Sequence, residues 1–294
     1  MECRASNHFS ITVDTSAGVL TLPHTTSTIA LDGRQSKVIV TDYTFGKSKL
    51  LYSTASIFFA GIIDSRDVLF LFGDSSQSHE AALYFTGTST VMPSSSSVTI
   101  STNSTSKLST VTFLPGIKGL VTIWESDSQI VLFSDPVTAA TFWAPVVPGS
   151  SSLSNYWQFG SNETVLIGGP YLVRNVTFEN QELALTGDLN ASAVLTVIAP
   201  RNVMTVSWNG AVISQISRAS KSSSMFIGHL DMNLKANAVH VPKLDKWKFA
   251  DSLPEIQSTF SDASWITANH TTTNSILPPL FGDGRVLYGC DYGL

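Results

Sequence analysis

Apolar positions along the chain recur with period two or in short runs, and none of the chain shows the 3.6-residue spacing of an amphipathic helix. The pattern predicts strands near Phe9–Val13, Gly18–Leu22, Lys37–Val40, Ile57–Ile63, Val68–Phe72, Ala81–Phe85, Val111–Phe113, Leu120–Glu125 and Gln129–Phe133. Turn-forming clusters punctuate them at Asp32-Gly33, Phe45-Gly46-Lys47-Ser48, Gly73-Asp74-Ser75-Ser76 and Pro115-Gly116. The longest uncharged apolar run, Ala55–Ile63, closes at Asp64. It is too short to cross a bilayer and predicts a buried strand.

Pro145–Asn155 reads as a linker or long loop, with Pro148-Gly149 followed by three serines. A second set of strands is expected near Val165–Ile167, Tyr171–Val176, Leu183–Thr186, Ala193–Ile198 and Val203–Trp208. Asn209-Gly210 then marks a two-residue hairpin turn, with Ala211-Val212-Ile213 as the return strand. Many short strands with little helix predict an all-β chain of antiparallel β-sandwich domains. Ser217–Ser224 is polar and reads as a connector. Beyond Leu244 the texture changes again, with Trp247, Phe249 and Leu253 ahead of Pro254 and then Asp262-Ala263-Ser264-Trp265. The expected organisation is a large β-domain over 1–140, a small β-sandwich over 141–216, and over 217–294 a connector and the start of a third domain. No fixed-period repeat points to a solenoid or propeller.

Composition sharpens this picture. Apolar residues make up 43% and charged residues 13% of 294, and Ser and Thr fill about a quarter. That profile belongs to a packed, β-rich protein. Seventeen basic against 22 acidic residues give a net charge of −5, which excludes the basic footprint of a nucleic-acid binder. Cys3 and Cys290 stand at opposite ends of the chain, either as two free thiols or as one disulfide. No Cys/His spacing suggests a metal site. Met1–Ser6 has no apolar signal core, so no secretory leader is expected in the chain as written.

Candidate chemistry is sparse. The glutamates Glu2, Glu80, Glu125, Glu163, Glu179, Glu182 and Glu255 are scattered, with no context that forces two together. His79-Glu80 could be half of an acid/base or metal site, but no second histidine follows at the spacing of a helical zinc motif. The reading favoured for His79 is a residue that holds a turn through hydrogen bonds. No G-x-S-x-G elbow or phosphate loop is present. Of six tryptophans, Trp124, Trp143, Trp208 and Trp265 stand where a large ring would fill core. Trp157, in Asn155-Tyr156-Trp157, is the candidate for stacking on a sugar ring. Sequons occur at Asn103, Asn162, Asn175, Asn190 and Asn269, against roughly three expected by chance from this composition.

Several segments, taken in order, carry a resemblance. Thr15-Ser16-Ala17-Gly18, Leu31-Asp32-Gly33-Arg34-Gln35-Ser36-Lys37, Asp42-Tyr43, Tyr52-Ser53-Thr54-Ala55, His79-Glu80-Ala81-Ala82-Leu83 and Phe142-Trp143-Ala144-Pro145 resemble the large β-domain of fungal-type β-galactosidases of glycoside hydrolase family 35. Tyr171-Leu172-Val173-Arg174, Leu185-Thr186-Gly187-Asp188-Leu189-Asn190 and Trp208-Asn209-Gly210 are similar to the small domain after it. Trp247–Ile256, Asp262-Ala263-Ser264-Trp265 and Asp291-Tyr292-Gly293 look like the opening of a galactose-binding-like jelly roll, incomplete here. The family's retaining mechanism needs two glutamates about 5 Å apart, and in the family both stand on a barrel that precedes these segments. The resemblance therefore implies a non-catalytic accessory region with no catalytic, cofactor or metal residues of its own. It implies an extracellular parent enzyme that meets a β-galactoside carbohydrate, without nucleic-acid or membrane partners, as a monomer. The rival readings are a stand-alone carbohydrate-binding module and a truncated relic without function.

Overall fold

The computed structural model describes residues 7–26, 28–32, 35–89, 93, 95–147, 164–214, 216–218, 225–232 and 256–265. The chain divides into two compact units, Met1–Lys235 and Ala236–Leu294.

The first half of the larger unit carries thirteen strands: β1 (Asn7–Phe9), β2 (Ile11–Thr15), β3 (Gly18–Leu22), β4 (Ile29–Leu31), β5 (Val40–Phe45), β6 (Ser48–Ser53), β7 (Ser56–Ile63), β8 (Arg66–Phe72), β9 (His79–Leu83), β10 (Val98–Thr102), β11 (Ser109–Phe113), β12 (Leu120–Glu125) and β13 (Gln129–Ser134). A five-stranded sheet in the order β10-β11-β9-β6-β5 faces a four-stranded sheet in the order β12-β13-β8-β7. Between them lies a core of Leu50, Leu69, Leu71, Ala81, Leu83, Val111, Phe113, Ile123, Val131 and Phe133. The hairpin β2–β3 covers the other face of the five-stranded sheet, where Ile11, Val13, Leu20 and Leu22 pack on Leu51, Tyr52 and Ala82. A short helix α1 (Pro136–Ala139), N-capped by Asp135, ends this half.

The second half contains β14 (Phe142–Trp143), β15 (Leu166–Gly168), β16 (Leu172–Glu179), β17 (Glu182–Asp188), β18 (Ala193–Ile198), β19 (Thr205–Trp208), β20 (Ala211–Val212), β21 (Ser217–Arg218) and β22 (Met225–Leu230). Its sheets run β14-β15-β18-β22-β21 and β16-β17-β19-β20. They enclose Val165, Ile167, Val176, Leu183, Leu185, Leu195, Val197, Val206, Trp208 and Phe226.

The two sandwiches share a third core. Alternate residues of a strand point to opposite faces, so β8 sends Leu69 and Leu71 into the first core and Val68 and Phe70 out of its other side. β13 does the same, with Val131 and Phe133 inward and Ile130 and Leu132 outward. Those outward side chains meet Phe142, Leu166, Ile198 and Met225 of the second sandwich. The layers therefore stack as hairpin, sheet, sheet, sheet, sheet, with the β8/β13 sheet in the middle and buried on both faces. That explains why Val68–Phe72 and Gln129–Phe133 read as continuous apolar runs rather than alternating ones.

The all-β sandwich expectation holds, with three differences of detail. Two neighbouring pairs, β8 with β13 and β17 with β19, are parallel. Met225–Leu230, beyond residue 216, pairs with β18 along its whole length and belongs to the second sandwich. The run Ala55–Ile63 is an edge strand and not a buried one: Ser56–Gly61 are half-buried and Ile62 is 46% exposed. It is apolar because both of its faces are packed, Ile57 and Ala60 against the first core and Phe58 and Phe59 against the shared one.

In the second compact unit the described residues 256–265 form turns, with Phe260 and Trp265 in edge-to-face contact at 5.6 Å. Of the jelly-roll segments, Ile256 and Asp262–Trp265 fall among the described residues; residues 247–255 and 291–293, the linker from Pro148 onward, Cys3, Cys290, Trp157, Asn162 and Asn269 lie outside them.

Candidate functional site

The His79-Glu80 dipeptide sits on β9 with both side chains buried. His79 lies at 3.0 Å from the carbonyl of Asp74, so its Nε2–H donates and pins the loop before the strand. Burial pulls the imidazole below the ordinary histidine range and keeps it neutral. Glu80 points to the opposite face, under the segment that follows the β2–β3 hairpin. Its carboxylate accepts the backbone amides of His24 (2.7 Å), Thr25 (2.6 Å) and Thr26 (3.0 Å) and the hydroxyls of Thr25 and Tyr52. Burial pushes the carboxyl upward, but these hydrogen bonds together hold it below the usual glutamate range. A carboxylate with five donors has no lone pair left for a substrate proton. The dipeptide is a staple between hairpin and sheet.

Among the described glutamates, Glu179 and Glu182 face each other across the turn Asn180-Gln181, whose residues both have positive φ, as a type I′ hairpin requires. Directly opposed residues place their Cβ atoms about 5 Å apart, a spacing that suits a retaining glycosidase. Both side chains, however, are exposed at a hairpin tip, and Glu182 accepts the Ser207 hydroxyl at 2.7 Å. A glycosidic bond would find no enclosing wall there.

A third cluster stands where the two sandwiches meet. The turn Asp64-Ser65 between β7 and β8, with both residues at positive φ, presents the Asp64 carboxylate to Arg201 of the second sandwich. Asp64 Oδ2 accepts the Arg201 amide at 3.1 Å and its Nε–H at 2.6 Å, while Arg201 Nη1 reaches Asp127 at 3.4 Å. Behind them Arg66 is 1% exposed, 3.7 Å from Glu125 and 4.0 Å from Asp64. Phe70 sits at the centre of the adjoining apolar contact, its ring 5.0 Å from those of Phe58 and Phe142. This junction couples two domains through ion pairs and apolar packing.

The remaining candidates separate. Asn103, Asn175 and Asn190 are exposed. Asn103 turns its Oδ1 to the amides of Thr105 and Ser106 and so shapes the β10–β11 hairpin; the amide nitrogen that a glycan would join takes no part. Trp124 stacks on Phe85 at 4.3 Å and donates to the Thr86 carbonyl. Trp143 donates to Pro170, and Trp208 is buried. Trp265 departs from the expected core position: it is 65% exposed, in a turn that its amide closes on the Asp262 carbonyl at 2.8 Å, with Phe260 edge-to-face beside it. Among the described residues no three His, Cys, Asp or Glu side chains converge as a metal site.

Comparison with known proteins accounts for this arrangement. A family model described as "Beta-galactosidase, domain 2" matches residues 1–142, and one described as "Beta-galactosidase, domain 3" matches 143–224. The chain belongs to the β-galactosidase family. The boundary between the two matches falls inside β14, next to the ring of Phe142 that joins the sandwiches. A protein described as "Probable beta-galactosidase B" from Penicillium rubens is 36% identical over 97% of this chain. Its namesake from Neosartorya fischeri is 34% identical over the same share, and "Probable beta-galactosidase C" from Aspergillus niger 35%. The chain spans 27% of the length of each of these relatives. It corresponds to a non-catalytic region of the β-galactosidase family.

Proposed function

We propose that this region is the structural support of a secreted, glycosylated family 35 enzyme that removes terminal non-reducing β-D-galactosyl residues, and that it has no turnover of its own. The catalytic pair of glutamates then belongs to the part of the relatives that this chain does not span. The observation that carries the reading is the core shared by the two sandwiches, Phe70 against Phe142 with the Asp64–Arg201 pair at its rim. It makes one bracket of two domains, and a bracket can hold a catalytic partner in a fixed place. The directly opposed pair Glu179 and Glu182 is exposed at a hairpin tip, not enclosed as a retaining mechanism needs. The β-galactoside that is cleaved is met through that catalytic partner, and the region is a monomer with no nucleic-acid or membrane partner. Asn103, Asn175 and Asn190 are its accessible glycosylation sites.

The purified chain, assayed with a chromogenic β-galactoside, is expected to release no product. Turnover that disappears in the Glu179→Gln/Glu182→Gln double variant would overturn the reading, because the only opposed carboxylates among the described residues would then be catalytic.

A further inference from the structure

Trp208-Asn209-Gly210 is more than a hairpin turn. Asn209 folds its side chain back onto β17, where Oδ1 accepts the Gly187 amide and Nδ2 donates to the Gly187 carbonyl, both at 3.0 Å. A Cβ at Gly187 would fall 2.0 Å from the Leu172 carbonyl oxygen and 2.7 Å from the Trp208 ring, so only glycine lets the indole lie against the strand. The turn, the indole and the start of β20 are thereby held in one rigid piece.

That piece forms one wall of a cleft of about 410 Å³ in the second sandwich, lined by β20 of one sheet and the end of β22 of the other. Trp208, Ile213 and Leu230 give it a buried apolar base. Ser214, His229 and Asp231 give it a rim of exposed polar groups, with His229 Nε2 3.9 Å from Asp231 Oδ1. Trp208 is 9% exposed, the rest of its ring being part of the second core.

We propose that this cleft binds a neutral sugar. Its volume lies in the range of small-molecule sites and suits one or two pyranose rings. A sugar offers an apolar C–H face for the exposed Val212 and the edge of Trp208, and adjacent hydroxyls for a carboxylate, an imidazole and a serine. Among the described lining residues there is no lysine or arginine, and Asp231 is acidic, which disfavours an anion. The site lies apart from the junction and serves to tether or orient carbohydrate; it performs no bond cleavage.

Isothermal titration of the full chain with lactose, and in parallel with cellobiose, tests this. Saturable binding of at least one sugar with a Kd of about 1 mM is expected. Asp231→Ala, at a residue 73% exposed, should weaken it by about tenfold without moving the melting temperature. Ala211→Trp, which fills the cleft from an exposed position, should abolish it. Lactose bound with cellobiose refused identifies a galactose-reading site; equal binding identifies a general pyranose site. Absence of saturation by either sugar at about 50 mM, or binding untouched by both substitutions, overturns the proposal. Either failure leaves the supporting role intact, because that role rests on the shared core and is tested by turnover and unfolding, not by sugar binding.

Discussion

At the scale of single residues, Glu80 ties the segment after the β2–β3 hairpin to the first sandwich. Glu80→Gln keeps the size but surrenders the charge that three amides and two hydroxyls converge on, and one of its amide hydrogens must face a donor. A loss of about 3 kcal/mol is expected in urea unfolding, against about 1 kcal/mol for Tyr52→Phe, which removes one of the five bonds. The pH dependence follows from two signs. His79 has its folded pKa below the ordinary value of 6.5, so an unfolded chain takes up its proton first and stability declines as pH falls below that value. Glu80 has its folded pKa below the ordinary 4.5, so its stabilisation is complete above that value and is lost as pH falls through the lower, folded one. Melting temperature should therefore fall in two stages on acidification, and His79→Gln should remove the upper stage alone. His79 was legible as a turn-holding residue because a histidine after a Gly-Asp-Ser-Ser cluster has a loop to hold. The cage around Glu80 was not legible, since its donors come from residues 24–26 and 52 and no local pattern links these to position 80.

At the scale of elements, turns were the most readable feature. Asn209-Gly210 forms the predicted hairpin, with both residues at positive φ. In the β5–β6 turn, Gly46 at φ +62° also leaves room for the Asp67 carboxylate, which would lie 1.8 Å from an added Cβ. That carboxylate takes the Lys47 amide and the Ser48 hydroxyl. Gly46→Ala should therefore cost both the strained backbone and the displaced Asp67, about 2–4 kcal/mol in chemical denaturation. Strands were readable where burial imposes composition, as in β8 and β13. Val98–Thr102 was missed because four of its five residues are exposed, and a fringe of Ser and Thr looks like a loop. Met225–Leu230 was missed because it stands after a polar connector, although it lies beside the core strand β18.

At the scale of the whole molecule, the decisive feature was invisible in the sequence. The shared core draws Phe58, Phe70, Leu132, Phe142, Leu166 and Met225 from both sandwiches, and nothing local distinguishes a side chain facing its own domain from one facing the next. The family matches divide the chain at residue 142, while the packing runs straight across that boundary. Its polar rim is a minor term: Arg201 is 42% exposed, so the coupling between Asp64→Asn and Arg201→Gln in a double-mutant cycle should be about 1 kcal/mol or less. The apolar contact is the major one, and Phe70→Ala should cost about 3–5 kcal/mol. Because that side chain serves both sandwiches, the loss should appear in both of them together.

Scanning calorimetry of the chain beside Phe70→Ala is the direct test of the bracket. The account predicts a single transition for the two sandwiches, with calorimetric and van't Hoff enthalpies equal, and a variant whose transition moves down as one. Two transitions assignable to the separate sandwiches in the unaltered chain, or a variant in which only the first sandwich melts earlier, would contradict it.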